Sequence, residues 1–94
     1  MRIVGYIKNE ACKVTVFHQG LRFMVKFEDG LYEQAFKFRE SETIKGLADI
    51  QKIVDDAFIQ EVMERFAEMR RSIGALMTRA LGVVPEEEDA EEII

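Results

Sequence analysis

From Cys12 to Phe38 apolar residues recur at every second position, apart from His18 and Gln34, with two glycine-containing interruptions at Gln19-Gly20 and Asp29-Gly30. A period of two is the signature of a strand with one covered face. Asp-Gly is a strong hairpin signal, because a type I′ turn needs positive φ at both central residues; Gln-Gly is a weaker version of it. If both dipeptides are two-residue loops, the register follows. Around the first, His18 faces Leu21, Val16 faces Phe23, Val14 faces Val25 and Cys12 faces Phe27. Around the second, Phe27 faces Tyr32, Val25 faces Gln34, Phe23 faces Phe36 and Leu21 faces Phe38. Paired residues share a sheet face. The register therefore gathers Cys12, Val14, Val16, Leu21, Phe23, Val25, Phe27, Tyr32, Phe36 and Phe38 on one side and predicts strands near 12–18, 21–28 and 31–39. An earlier strand, near 2–8, turns around Asn9-Glu10. It is expected to place Ile3, Gly5 and Ile7 on the core face and Arg2, Val4, Tyr6 and Lys8 outside, since the other phase would bury Lys8.

After Lys45 the spacing changes to three and four. Leu47, Ile50, Ile53 and Val54 predict a short helix, with Ser41 or Thr43 as candidate cap. Asp55 or Asp56 suits the N-cap of a second helix. That helix carries Ile59, Val62, Phe66, Met69, Ile73, Leu76 and Ala80 on one stripe and stops at Gly82, three residues before Pro85. Whether the segments at 44–54 and 57–81 are two helices or one bent helix is open at this stage, with Gly46 and the Asp pair favouring a break.

The pattern thus predicts an α+β fold: a four-stranded antiparallel meander in ββββα order, with a short and a long helix on one face. Residues 1–84 form one domain and 85–94 an acidic disordered tail. A helix from 57 to 81 measures roughly 37 Å, whereas a strand of seven or eight residues covers about 25 Å. Met69, Ile73, Gly74, Leu76, Met77, Ala80 and Leu81 are therefore expected to overhang the sheet, and covering them with a second copy gives a homodimer. The competing arrangement folds this half over the short helix.

Composition sharpens the picture at a few points. The 94 residues are 48% hydrophobic, enough for a single core. The lone cysteine, Cys12, closes no internal disulfide, and the N-terminal residues lack the long apolar run of a secretion signal, so the expected location is cytoplasmic, away from membranes. The net charge of −5 conceals an asymmetry. Residues 1–40 hold seven Lys/Arg against five Asp/Glu; residues 41–94 hold six against thirteen, six of them between Glu86 and Glu92. The sheet is the basic part.

Candidate chemistry is sparse. His18 is the single histidine and lacks a ligand partner at metal-binding spacing. Cys12 reads as a small buried hydrophobe. Glu61, Glu64 and Glu68 share a helix side with Arg65, the pattern of a solvated face. Lys45-Gly46 follows no glycine-rich loop. The expectation is no catalytic residue, no cofactor and no metal. The outer sheet face is richer. The registers above place Arg2, Phe17, Arg22 and Lys37 in one row, Val4, Thr15, Met24 and Ala35 in the next, and Tyr6, Lys13, Lys26 and Glu33 in the last. The candidate partner face is thus Arg2, Tyr6, Lys13, Phe17, Arg22, Met24, Lys26 and Lys37. Three uses are open: an ordinary solvent face, a protein contact, or single-stranded nucleic acid, whose bases stack on rings while cations neutralise phosphates.

The order of four strands followed by a helix resembles that of the Pur-type and Whirly-type single-strand binders, which implies nucleic-acid binding and dimerisation; the net acidic charge departs from that pattern. The segment from Pro85 to Ile94 resembles the acidic, hydrophobic-tipped tails of bacterial single-strand-binding proteins, which implies partner recruitment or self-occlusion of a basic face; a solubilising extension is the plainer use. The sequence reading is a non-enzymatic binding or scaffolding module that homodimerises and contacts an unidentified protein partner, with single-stranded nucleic acid as the alternative ligand.

Overall fold

A computed structural model of the chain describes residues 1–82; the expected acidic tail lies outside the described residues. The elements run β1 (Arg2–Ile7), β2 (Lys13–Gln19), β3 (Arg22–Asp29), β4 (Tyr32–Arg39), α1 (Leu47–Ile53) and α2 (Asp56–Leu81). The four strands form one antiparallel sheet in the order β1-β2-β3-β4. Both helices lie on one of its faces.

The strand alternation sorts side chains as expected, but the pairing is displaced by two residues. Val16 faces Val25, Val14 faces Phe27 and His18 faces Phe23; across β3 and β4, Phe23 faces Phe38, Val25 faces Phe36 and Phe27 faces Gln34. The loops are Gly20-Leu21 and Gly30-Leu31, not Gln19-Gly20 and Asp29-Gly30. Gly20 and Gly30 have φ of 61° and 64°, and no non-glycine residue has positive φ among the described residues. A left-handed glycine first and an ordinary residue second is the pattern of a type II′ turn, not type I′. A shift of two preserves which face each strand residue occupies. It does move Leu21 out of the expected core and into the loop, where it is 74% exposed.

β1 departs further. Its register slips between Ile3 and Gly5, leaving Val4 as the extra residue of a bulge. Gly5, Tyr6 and Ile7 keep their expected faces, opposite Val16, Thr15 and Val14. Beyond the bulge the phase inverts. Ile3 faces Phe17 on the outer side, Arg2 faces His18 on the helix side, and Val4 packs against the core. Gly5 sits where α1 comes closest: a Cβ there would overlap the Leu47 side chain.

The core combines Val14, Val16, Phe23, Val25 and Phe27 from the sheet with Ile50 and Val54 around α1 and Ile59, Val62 and Phe66 from α2. Phe27, Phe36 and Phe58 contact one another edge to face, with centroids 5.1–5.8 Å apart. Two separate helices are present. Asp55 interrupts them in an extended conformation, and its carboxylate accepts the backbone N–H of Phe58 at 2.9 Å, the expected N-cap. Neither Ser41 nor Thr43 caps α1. Its N-cap is Gly46, and Asp49 reaches back to accept the N–H of Lys45 at 2.8 Å, while Ser41 closes its own turn by accepting from Ile44. α2 ends at Gly82 in the left-handed conformation, φ 69°.

Candidate functional site

α2 is 26 residues long, about 39 Å, and the strands it covers reach at most eight residues, about 27 Å. The helix starts beneath Phe36, where Phe58 packs. Gln34 then ties it to β4: the amide donates to the Val62 carbonyl at 2.8 Å and accepts from Arg65 Nε at 3.1 Å. Arg70 ion-pairs with Asp29 and lies 5.6 Å above the Tyr32 ring. α2 thus runs toward the Gly30 end of the sheet and passes beyond it. Ile59, Val62 and Phe66 are its buried residues. Further along, Ile73 is 43%, Leu76 44% and Leu81 63% exposed. Folding this half over α1 is not what occurs; α1 packs on β1 instead.

At roughly 100° per residue, Met69, Ile73, Gly74, Leu76, Met77, Ala80 and Leu81 all fall within an arc of about 160° on α2. The middle of that arc points the same way as Ile59, Val62 and Phe66. Arg71, Ser72, Thr78 and Arg79 occupy the opposite side. The overhang is therefore a continuation of the core-facing side of the helix with no sheet left to cover it. Where it leaves the sheet, an open cleft of about 430 Å³ lies between α2 and β4, lined by Tyr32, Gln34, Arg65, Met69 and Ile73 among others. Sequence reasoning missed the cleft and the Gln34 tether, because both depend on where the helix crosses β4.

The second surface is the outer sheet face. Its cross-strand rows are Ile3, Phe17, Met24 and Lys37; Tyr6, Thr15, Lys26 and Ala35; Lys13, Glu28 and Glu33; and Gln19, Arg22 and Arg39. Seven of the eight expected residues share it: Tyr6, Lys13, Phe17, Arg22, Met24, Lys26 and Lys37. Arg2 does not, for the bulge at Val4 turns it to the helix side and puts Ile3 in its row. Arg39 belongs to the face; its parity with Lys37 was the available signal. Cations and carboxylates are unevenly spread. Arg22, Lys37 and Arg39 cluster at the Gly20 end without an acid, whereas Glu28 and Glu33 sit with Lys13 at the Gly30 end. Lys26 Nζ lies 5.4 Å from the Phe17 ring centroid, a cation–π contact. Thr15, flanked by Tyr6 and Lys26, is buried. At the basic end, a depression of about 420 Å³ is lined by Met1, Phe17, Arg22, Met24 and Lys37 together with the Gly20 turn.

His18 and Cys12 are both placed on the packed side of the sheet. His18 lies on the helix side, its ring tilted against Phe23 with centroids 4.6 Å apart and its Nε2 3.1 Å from a Glu40 carboxylate oxygen. Cys12 is buried, and desolvation, reinforced by the charge of Asp29, pushes its thiol pKa up, away from a reactive thiolate. Among the described residues no group of three or more His, Cys, Asp or Glu is placed to hold a metal, and no helix is long and apolar enough to cross a membrane. Comparison with protein-family models, with curated proteins and with solved structures gave no match to this chain.

Proposed function

We propose that this chain is a non-enzymatic binding module that works as a homodimer built on α2 and engages a protein partner. The observation that carries the reading is the overhang. A helix stripe built to core composition runs some three turns past the sheet, leaving Ile73, Leu76 and Leu81 bare. Burying a large apolar side chain is worth about 1.5–3 kcal/mol, so self-association recovers several kcal/mol that folding alone does not. Sedimentation equilibrium tests it: a dimer is expected at micromolar concentration, and Leu76→Glu is expected to return it to a monomer of unchanged circular dichroism. A wild-type monomer at 100 µM ends the proposal.

A second reading, single-stranded nucleic acid on the outer sheet face, is favoured by one observation: the acid-free cluster of Arg22, Lys37 and Arg39, with Phe17 in the same row as Lys37. Fluorescence anisotropy with a labelled oligonucleotide tests it. Affinity should fall steeply between 50 and 200 mM salt and be lost in Arg22→Glu/Lys37→Glu. Absence of binding at 50 mM salt removes the reading.

A further inference from the structure

We infer that two copies pair through their α2 overhangs antiparallel, with Met69 of one chain level with Ala80 of the other and Ile73 level with Leu76. This rests on the homodimer proposed above and specifies its partner geometry.

The argument begins with direction. The bare arc of Met69–Leu81 faces the way that Ile59, Val62 and Phe66 face, toward the layer occupied by the sheet. A partner helix seated on that arc therefore lies in the same layer as the sheet, just past its Gly30 end. Laid parallel, its own N-terminal half would have to run through the space that β3 and β4 already fill. Laid antiparallel, it advances from the far side and stops where the sheet begins.

Length agrees with this stop. If the stripe residues interdigitate in order, Met69 meets Ala80 and Ile73 meets Leu76, so the two-fold axis passes between Gly74 and Ala75. The partner's Leu81 then reaches the level of Glu68, beside the Arg70–Asp29 pair that marks the end of the sheet. Each overhang fills the gap the other leaves, which is the self-complementarity an isologous contact requires. The cleft by Tyr32, Met69 and Ile73 lies at this junction and receives the partner's last turn.

The width of the arc points the same way. A seam between two helices alone needs only a narrow stripe, whereas an arc of about 160° suits a helix covered by more than one element. In the antiparallel arrangement each overhang meets the partner helix along its middle and the partner's sheet end at its tip. Opposed helix dipoles add to the preference.

Single-cysteine variants in a Cys12→Ser background read the orientation. Met69→Cys mixed with Ala80→Cys should yield a covalent heterodimer as the main oxidised product. Each variant alone should stay uncross-linked, because like positions are about 16 Å apart along the axis, far beyond the roughly 7 Å that a disulfide spans between Cα atoms. Self-cross-linking of Ala80→Cys with no mixed product overturns the antiparallel arrangement. Ala80 is exposed within the single chain, so Ala80→Cys leaves the fold intact and that arm remains readable even if Met69→Cys does not fold. Sedimentation of the same samples separates the two ideas: a monomer sinks the dimer itself, whereas a dimer that self-cross-links sinks only its geometry.

Discussion

Phe66 and Leu76 stand on the same stripe of α2, ten residues apart, one fully buried and the other 44% exposed. Truncating each to alanine should separate what holds the domain from what joins two domains. Phe66→Ala removes a ring from the centre of the helix–sheet contact, and losses of this kind run to about 3–5 kcal/mol. That loss should be the same at any protein concentration, since every contact is within one chain. In a single chain Leu76 has realised only about half of its burial, so Leu76→Ala should cost about 1 kcal/mol there. In a dimer the remaining half is gained on both chains, adding about 2 kcal/mol per dimer.

Urea unfolding followed by circular dichroism at 1 µM and 200 µM measures both. The wild-type midpoint should rise with concentration, because association stabilises the folded form by mass action. The Phe66→Ala deficit should persist across that range. The Leu76→Ala deficit should grow from about 1 toward about 2 kcal/mol per chain. If Phe66→Ala costs less than about 1 kcal/mol, α2 does not dock as described and the reasoning fails at its base. If the Leu76→Ala deficit is independent of concentration, the helix docks but the overhang is not an interface.

Three further outcomes are expected. Gly20→Ala and Gly30→Ala should each destabilise by about 1 kcal/mol, because both positions have positive φ; a D-alanine placed by chemical synthesis should restore stability, and failure of that rescue would refute the type II′ assignment. Asp55→Ala should cost about 1 kcal/mol in urea unfolding and Asp55→Asn much less, since the amide oxygen still accepts from Phe58. Cys12 should react with iodoacetamide far more slowly than a free thiol at pH 8 and regain ordinary reactivity in urea. Its folded pKa lies above the ordinary 9.0, so its protonated form is favoured by folding; that contribution is complete below about pH 9 and lost as pH rises above it. Stability that rises over that range in wild type but not in Cys12→Ser would contradict the sign.

The parity of the strands was legible in the sequence, but their pairing was not. Gly20 and Gly30 announce turns, yet glycine can stand first or second in a two-residue loop, and the flanking Gln19 and Asp29 suggested second. The error is an even number of residues, so Val14, Val16, Phe23, Val25 and Phe27 reached the core regardless and Phe17, Arg22, Met24 and Lys37 stayed together outside. The bulge at Val4 is an odd insertion, and an odd insertion inverts everything beyond it. That is why Arg2 and Ile3 exchanged faces. Val4 itself carries no mark, but Gly5 beside it does: an isolated glycine in a strand pattern signals a bulge or a close approach, and here it borders the slip and lies where a Cβ would overlap the Leu47 side chain. The overhang of α2 needed only counting, since helix and strand rise per residue are fixed quantities. The cleft beside Tyr32 needed the crossing point of α2 on β4, which rests on Gln34 and Arg70 and has no sequence period.

The direction of α2 also bears on whether the acidic segment from Glu86 to Glu92 shields the basic end of the outer face within one chain. The helix passes Asp29 at Arg70 and continues for eleven residues to Leu81, about 16 Å beyond the sheet. Arg22 lies at the other end of β3, about 24 Å the opposite way. The gap is therefore about 40 Å before adding the thickness of the sheet. A chain spans at most about 3.6 Å per residue, so Glu86 comes no farther than about 14 Å from Gly82 and Glu92 no farther than about 36 Å. Most of the acidic run falls short of Arg22 and Lys37 even when fully drawn out. In the monomeric Leu76→Glu variant, deletion of residues 86–94 should leave the amide resonances of Arg22, Met24 and Lys37 unmoved. Shifts there would mean that α2 does not point away from the basic end, and the placement of both surfaces at opposite ends of the molecule would have to be abandoned.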